Sequence, residues 1–247
     1  MAAMVKIIAL FLALSMSFFA HSEPADSDAG ATLTAVLIEI NEGGYLAVQP
    51  DGQQVQIQIH ETTEIDLPWP PAAGDRITVR YDGRMTRSLP PQIIAARISP
   101  ADDAAAVLLG AVREVDVATG RILIETDAIG AVWVMLPAGV DAASLSGKAV
   151  RVYTAGVVAL SMPAQATALS VAEMPMAEGA IAYLTDDMLL LDTAQGAVRF
   201  ALPEGITAAS LAVGQRVQVL HSGVMALSEP PQGVALAVLS VEGIEAP

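Results

Sequence analysis

One pattern, G-x-[MV]-x-x-S-x-P-x-Q-x-x-A, occurs three times: "GRMTRSLPPQIIA" from Gly83, "GVVALSMPAQATA" from Gly156 and "GVMALSEPPQGVA" from Gly223. A period of about 70 residues is the size of a small folded unit, so the chain is constrained to repeat one architecture three times. The match extends upstream as G-x-x-[IV]-x-V-x-x-x-G: "GDRITVRYDG" at Gly74, "GKAVRVYTAG" at Gly147 and "GQRVQVLHSG" at Gly214. "AIGAVWVMLPAGVDAASL" (Ala128–Leu145) also aligns without a gap to "AQGAVRFALPEGITAASL" (Ala194–Leu211). The units so defined are 31–100, 104–172 and 177–243.

Each unit reads as five short strands. In the first, "TAVLIEI", "GGYLAVQ", "QQVQIQIH", "DRITVRY" and "QIIAARI" alternate apolar and polar residues between Gly, Pro and Asp punctuation. Val55, Ile57 and Ile59 share one face, with Gln56 and Gln58 on the other. Ile77, Val79 and Tyr81 point inward, with Arg76, Thr78 and Arg80 outward. The connection between strands three and four, "LPAGVDAASLSG" in unit two, has room for one helical turn. The expected fold class is therefore all-β, three tandem five-stranded OB-like barrels of about 70 residues each. A small open sandwich is the alternative topology.

The N-terminus carries Lys6 and then an unbroken apolar run, Ile7–Phe19, with small residues offering cleavage after Ala20 or Ser22. That is the layout of a secretory signal peptide, assigned to residues 1–22, and the run is short for a spanning helix. No cysteine occurs, which excludes a lipoprotein anchor and a disulfide framework. The expected location is secreted or extracytoplasmic. Val152–Ala172 holds no charged residue. It nevertheless aligns with Arg84, Arg87 and Arg97 of unit one and contains Gly156 and Pro163, so it reads as strand, turn and strand, with no membrane span expected.

Removing the leader takes Lys6 and no acid, leaving a formal charge of −16 against −15 for the whole sequence. Phosphate neutralisation needs clustered Lys and Arg, so this acidic balance leads to the expectation of no nucleic-acid partner.

The repeated Ser88, Ser161 and Ser228 suggest a nucleophile only if each has a base in hydrogen-bond reach. Apart from His21 at the leader boundary, the histidines are His60 and His221. Neither has a counterpart in unit two, where Pro137 and Thr154 take their places. A repeated triad is excluded. The structural reading is a Ser hydroxyl bonding nearby backbone as in an ST-turn, with Pro90, Pro163 and Pro230 fixing φ on the way to strand five. Gln92, Gln165 and Gln232 either satisfy turn backbone or face a ligand. Gly83, Gly156 and Gly223 open the same structural motif. No cofactor fingerprint, calcium loop or metal-ligand spacing is present, and the Asp pairs at 102–103 and 186–187 read as turn or linker residues.

Two departures from the repeat remain. Arg76, Arg80, Arg84, Arg87 and Arg97 are half of the mature chain's arginines and crowd into the second half of unit one. They form either a solvated face or interface balancing carboxylates, or a patch for an anionic partner. Trp69 in "LPWPP" has no counterpart in the other units, and it either packs over the barrel end or anchors a partner. Arg76, Arg80, Arg84, Arg87 and Trp69 are the candidate interaction patch.

Gly110 with Val112, Gly179 with Ile181, Gly74-Asp75 with Ile77 and Val79, and Ala95 with Ile98 give the chain a resemblance to small bacterial secreted or envelope domains, OB-fold-like and often tandem. The resemblance implies fold and export, and transfers no catalytic residue because its pattern consists of structural glycines and apolar positions. The function expected is an exported, non-catalytic binding or interaction protein for an unknown protein, peptide or envelope polymer. The alternative is an enzyme or enzyme inhibitor with its site at a module interface, which buried paired carboxylates in a deep pocket would favour.

Overall fold

A computed structural model describes residues 30–102, 104, 106–156, 161–202, 206 and 210–241. The leader assigned to residues 1–22 lies outside the described residues.

Module 1 holds β1 (Ala31–Asn41), β2 (Gly44–Val48), β3 (Gln54–Gln58), the two-residue β4 (Glu64–Ile65), β5 (Arg76–Tyr81) and β6 (Gln92–Pro100). Module 2 holds β7 (Ala106–Asp116), β8 (Arg121–Thr126), β9 (Gly130–Met135), a 3-10 turn (Ala143–Leu145), β10 (Ala149–Thr154) and β11 (Ala164–Met174). Module 3 holds β12 (Met176–Leu184), β13 (Met188–Thr193), β14 (Gly196–Ala201), β15 (Arg216–His221) and β16 (Gln232–Ser240). The fold is all-β, as three tandem OB-like barrels.

The first strand of each module is long enough to serve two neighbours. Ala31–Val36 pairs with β5, and Val36–Asn41 pairs with β2. The strand turns between these duties at a bulge, which lies between Leu37 and Glu39 in β1, Val112 and Glu114 in β7, and Ile181 and Tyr183 in β12. An extra residue in one strand bends it and increases its twist, as closing so small a sheet requires. Closure is completed by parallel pairing of the third and last barrel strands: Ile57 with Ile93, Trp133 with Gln165, and Phe200 with Gly233.

The alternating pattern fills the interiors. Val55, Ile57, Ile77, Val79, Ile93 and Ile98 are buried in module 1. Ile122, Ile124, Val132, Val134, Val150 and Val152 play that part in module 2, and Ile181, Leu189, Leu191, Phe200, Val217 and Val219 in module 3. Burying each such side chain contributes about 1.5–3 kcal/mol, which lets these barrels hold without disulfides. The uncharged Val152–Ala172 stretch falls on β10 and β11, with 157–160 outside the described residues. Among the described residues no helix is long and apolar enough to cross a membrane.

Two features differ from the sequence expectation. The strand three to four connection of module 1 carries β4, which pairs with β6, where module 2 has its 3-10 turn. Arg76 alternates outward in β5 and is nonetheless buried. The loop leading into β5 is docked against module 2, so that end of the outer face is not solvent.

Candidate functional site

The loop before β5 makes the first module junction. Gly74 takes φ +92°, and a Cβ built on it would stand 1.9 Å from the Val171 carbonyl oxygen on β11. Only a residue without a side chain allows that approach. The loop thereby delivers Asp75 to the outer face of β10. Arg151 donates from Nε and Nη2 to the two Asp75 carboxylate oxygens at 2.8 and 2.7 Å, and the Tyr153 hydroxyl donates at 3.0 Å. The Ala72 amide donates to the same carboxylate at 2.8 Å. Asp75 and Arg151 are 1% and 2% exposed. A bidentate pair with every acceptor used is the form in which buried charge is tolerable. The Arg151 guanidinium also lies 4.4 Å from the centre of the Trp69 ring, so the "LPWPP" loop forms its lid. Burial, and then the Asp75 charge, push the Tyr153 phenol well above its ordinary value. This junction is sealed, and its chemistry is consumed in holding modules 1 and 2 together.

The second junction is built differently. Ala111, Ala149, Met174, Leu220, Ala237 and Leu239 form an apolar seam between modules 2 and 3. Pro175 alone separates β11 from β12. Beside the seam opens a cleft of about 840 Å³, lined by Arg113, Glu125 and Asp127 of module 2 and Glu178, Arg216 and Ser240 of module 3, among others. Arg113 is the extra residue of the β7 bulge. Ile38 and Ala182 hold that place in the other modules, so only module 2 uses the bulge to aim a charge. Glu178 accepts from Arg216 Nη2 at 2.8 Å and Gln218 Nε2 at 2.9 Å. Those bonds, Gln218 first, and the nearby charges of Arg216 and Arg113 hold its carboxyl below the usual range. Gln218 is buried, and its Oε1 has no partner among the described residues.

The repeated hairpin lies between strands four and five of each barrel. The Ser88, Ser161 and Ser228 hydroxyls donate to the carbonyls of Pro90, Pro163 and Pro230 at 2.8, 2.7 and 2.8 Å. The peptide bonds preceding those prolines are all cis. Gln92 and Gln232 close their hairpins through backbone: the Thr86 and Ala226 amides donate to their carbonyls at 2.9 and 2.7 Å. Gln165 pairs with Trp133 at barrel closure, on the outer face where Arg121 stacks 4.3 Å from the Trp133 ring centre. Gly83 and Gly223 adopt positive φ, +82° and +83°, and Gly156 does not.

The structure does not gather the arginines and tryptophan of unit one into one surface. Arg76 and Trp69 belong to the buried or half-buried junction side. Arg80 faces Arg97 across β5 and β6, and Arg97 is engaged by Asp66 and Glu64. Arg84 and Arg87 stand exposed on the hairpin. The sequence reading missed Asp75, Arg151, Tyr153 and Arg113. A position-by-position comparison carries a signal for the first two: Asp75 aligns with Lys148 and Gln215, and Arg151 with Thr78 and Gln218. Among the described residues no cluster of His, Asp or Glu is placed to hold a metal.

No family model matches the chain, and no curated protein is similar to it. Among solved structures it matches a multidomain protein with nucleic acid binding domains from Streptococcus pneumoniae TIGR4, at 12% identity, covering 83% of this chain and 73% of that one, with a TM-score of 0.21. It also matches drosophila Unr CSD456 at 8% identity, covering 86% and 98%, with a TM-score of 0.23. The expectation that nucleic acid is no partner is not retained beside these matches, the first of which is a multidomain protein described as having nucleic acid binding domains. The physical fault in that expectation is that net charge describes the whole chain, whereas a barrel meets its partner through one local face.

Proposed function

We propose that the protein is an exported, non-catalytic binding protein whose three barrels form one scaffold and whose ligand occupies the cleft between modules 2 and 3. The observation that carries this reading is the contrast between the junctions. The first spends its charges on each other out of water, and the second leaves Arg113, Glu125 and Asp127 facing an open space of about 840 Å³. Opposed charges around one opening suit a small molecule or peptide segment bearing both signs, such as a chain terminus beside a basic or acidic side chain.

Binding is favoured over catalysis by the state of Glu178. A general acid needs a carboxyl raised toward neutral pH, and Glu178 is moved the other way by its bonds from Gln218 and Arg216. The buried carboxylate nearest to a catalytic type, Asp75, has no free acceptor left. Export rests on the leader-like residues 1–22.

The reading is tested by thermal shift and calorimetric titration with four probes: a short peptide with free termini, the same peptide blocked at both ends, an acidic oligosaccharide and a single-stranded oligonucleotide. The free peptide is expected to raise the melting temperature, the blocked one not to, and Arg113→Glu to abolish the effect. Equal responses of wild type and Arg113→Glu to every probe would refute the site.

A further inference from the structure

The strand four to strand five hairpins place large apolar side chains in water at their tips. Leu89 is 96% exposed, Met162 is 101% and Leu227 is 107%. Leu89 and Met162 hold the same place, between the repeated Ser and its Pro, and Leu227 immediately precedes Ser228. A single exposed aliphatic residue on a soluble protein is ordinary. Recurrence at the tips of three separate barrels is not, since a polar residue would fit each site equally well.

The module 1 tip is also braced by hydrogen bonds. In module 1 the Thr86 hydroxyl lies 2.6 Å from that of Ser88, Ser88 donates to Pro90, and the Gln92 amide donates to Thr86 Oγ1 at 2.8 Å. A hairpin braced in this way presents Leu89 without having to be ordered when it meets a partner. Arg84, 92% exposed at its side chain, and Arg87 flank Leu89. Asp82 is the acid beside them, 3.8 Å from Arg84 in an exposed contact. The tip is thus locally basic in a strongly acidic protein.

We propose that the module 1 hairpin docks the protein onto an anionic lipid surface, with Leu89 entering the acyl boundary and Arg84 and Arg87 meeting headgroup phosphates. The chemistry matches the interfacial arrangement of an apolar anchor beside basic side chains. A protein partner fits less well, because stable protein interfaces bury about 800 Å² per side and need a contiguous patch. Isolated knobs have no such patch, and a fluid surface receives each of them separately. The repulsion expected from a −16 chain does not forbid the contact, since at physiological salt charges are screened beyond about 8 Å and the tip leads the approach. This inference is independent of the cleft.

The test is sedimentation with vesicles of phosphatidylcholine alone or mixed with phosphatidylglycerol, using the chain without residues 1–22 so that the apolar leader contributes nothing. The mixed vesicles are expected to carry down the wild type, more so at low salt. Leu89→Ser and the double variant Arg84→Ser/Arg87→Ser should each lower the partition by about three- to tenfold, with unchanged melting because these side chains stand in solvent. Leu89→Trp gives a direct readout, a blue shift of its fluorescence on adding mixed vesicles. Binding unaffected by these variants, an unshifted Leu89→Trp, or Leu89-dependent capture of a protein without vesicle binding overturns the proposal.

Discussion

Arg151 grips Asp75 across a module boundary, its Nε and Nη2 reaching the two carboxylate oxygens at 2.8 and 2.7 Å. Neither residue belongs to its own barrel's interior. The pair stabilises an arrangement of modules, and its energetics differ from those of a surface ion pair, where solvent screening leaves little net gain.

Removing one partner leaves the other charged and buried. Asp75→Asn is expected to lower unfolding stability by about 3–5 kcal/mol. The double replacement Asp75→Leu/Arg151→Met removes both charges and should lie closer to wild type than either single change. Urea unfolding followed by intrinsic fluorescence reads this, because the two tryptophans, Trp69 and Trp133, report modules 1 and 2. If the double variant loses the sum of what Asp75→Leu and Arg151→Met lose singly, the pair is not coupled and the account of this junction is wrong.

The glycine before Asp75 gives a prediction with internal controls. Gly74, Gly147 and Gly214 are equivalent in the repeat, with φ of +92°, +69° and +87°. Alanine at Gly147 or Gly214 meets nothing within 4 Å and carries the left-handed strain alone, about 1–2 kcal/mol. Alanine at Gly74 must also displace the Val171 carbonyl, so about 3 kcal/mol or more is expected, with loss of the module 1 to module 2 contact. Calorimetry should resolve a separate module 1 transition in Gly74→Ala and in neither control.

Tyr153 sets an alkaline limit. Its phenol is pushed up from 10.0 by burial first and by the Asp75 charge second. Below pH 10 the folded and unfolded chains both hold the proton, so the contribution is fully present. Above it the unfolded chain ionises while the folded one does not, and stability falls as pH rises. Tyr153→Phe should flatten stability between pH 9 and 11 by about one ionisable group's share, leaving the smaller part due to buried Tyr45, also raised by burial. An unchanged slope in the variant would show that the phenol ionises as freely in the fold as out of it.

The barrels were legible because their determinants are local and written three times. Val55, Ile57, Ile77 and Val79 alternate, and the structure buries all four. The junctions were not legible, because they lie in what the copies do not share. Asp75 reads as a turn residue, and its amide bond from Ala72 is a turn bond that Gln215 repeats with Ala212 at 2.9 Å. Nothing near it in sequence reveals the guanidinium that uses its remaining lone pairs. The arginines of unit one stand out by density, yet the interface uses an acid from module 1 and a lone arginine from module 2. Arg113 reads like any strand residue, since a bulge changes the face a side chain takes without leaving a period to detect.

The repeated serine can be tested as one set. Each hydroxyl donates one bond to a proline carbonyl in a hairpin near solvent, where water competes for both groups, and the Ser88 hydroxyl also lies 2.6 Å from that of Thr86. Net stabilisation by such a bond is at the low end of its range, and Ser88→Ala, Ser161→Ala and Ser228→Ala should each lower stability by about 0.5 kcal/mol. The three sites lie in different barrels and share no partner, so the triple variant should lose about 1.5 kcal/mol by simple addition. A nucleophilic serine behaves otherwise: one substitution would abolish labelling by a fluorophosphonate while barely moving the melting curve. The expected result is no labelling of wild type, together with three small and additive losses measured by denaturant titration. Labelling that disappears with one serine and persists without the other two would convert that hairpin from a structural turn into an active site.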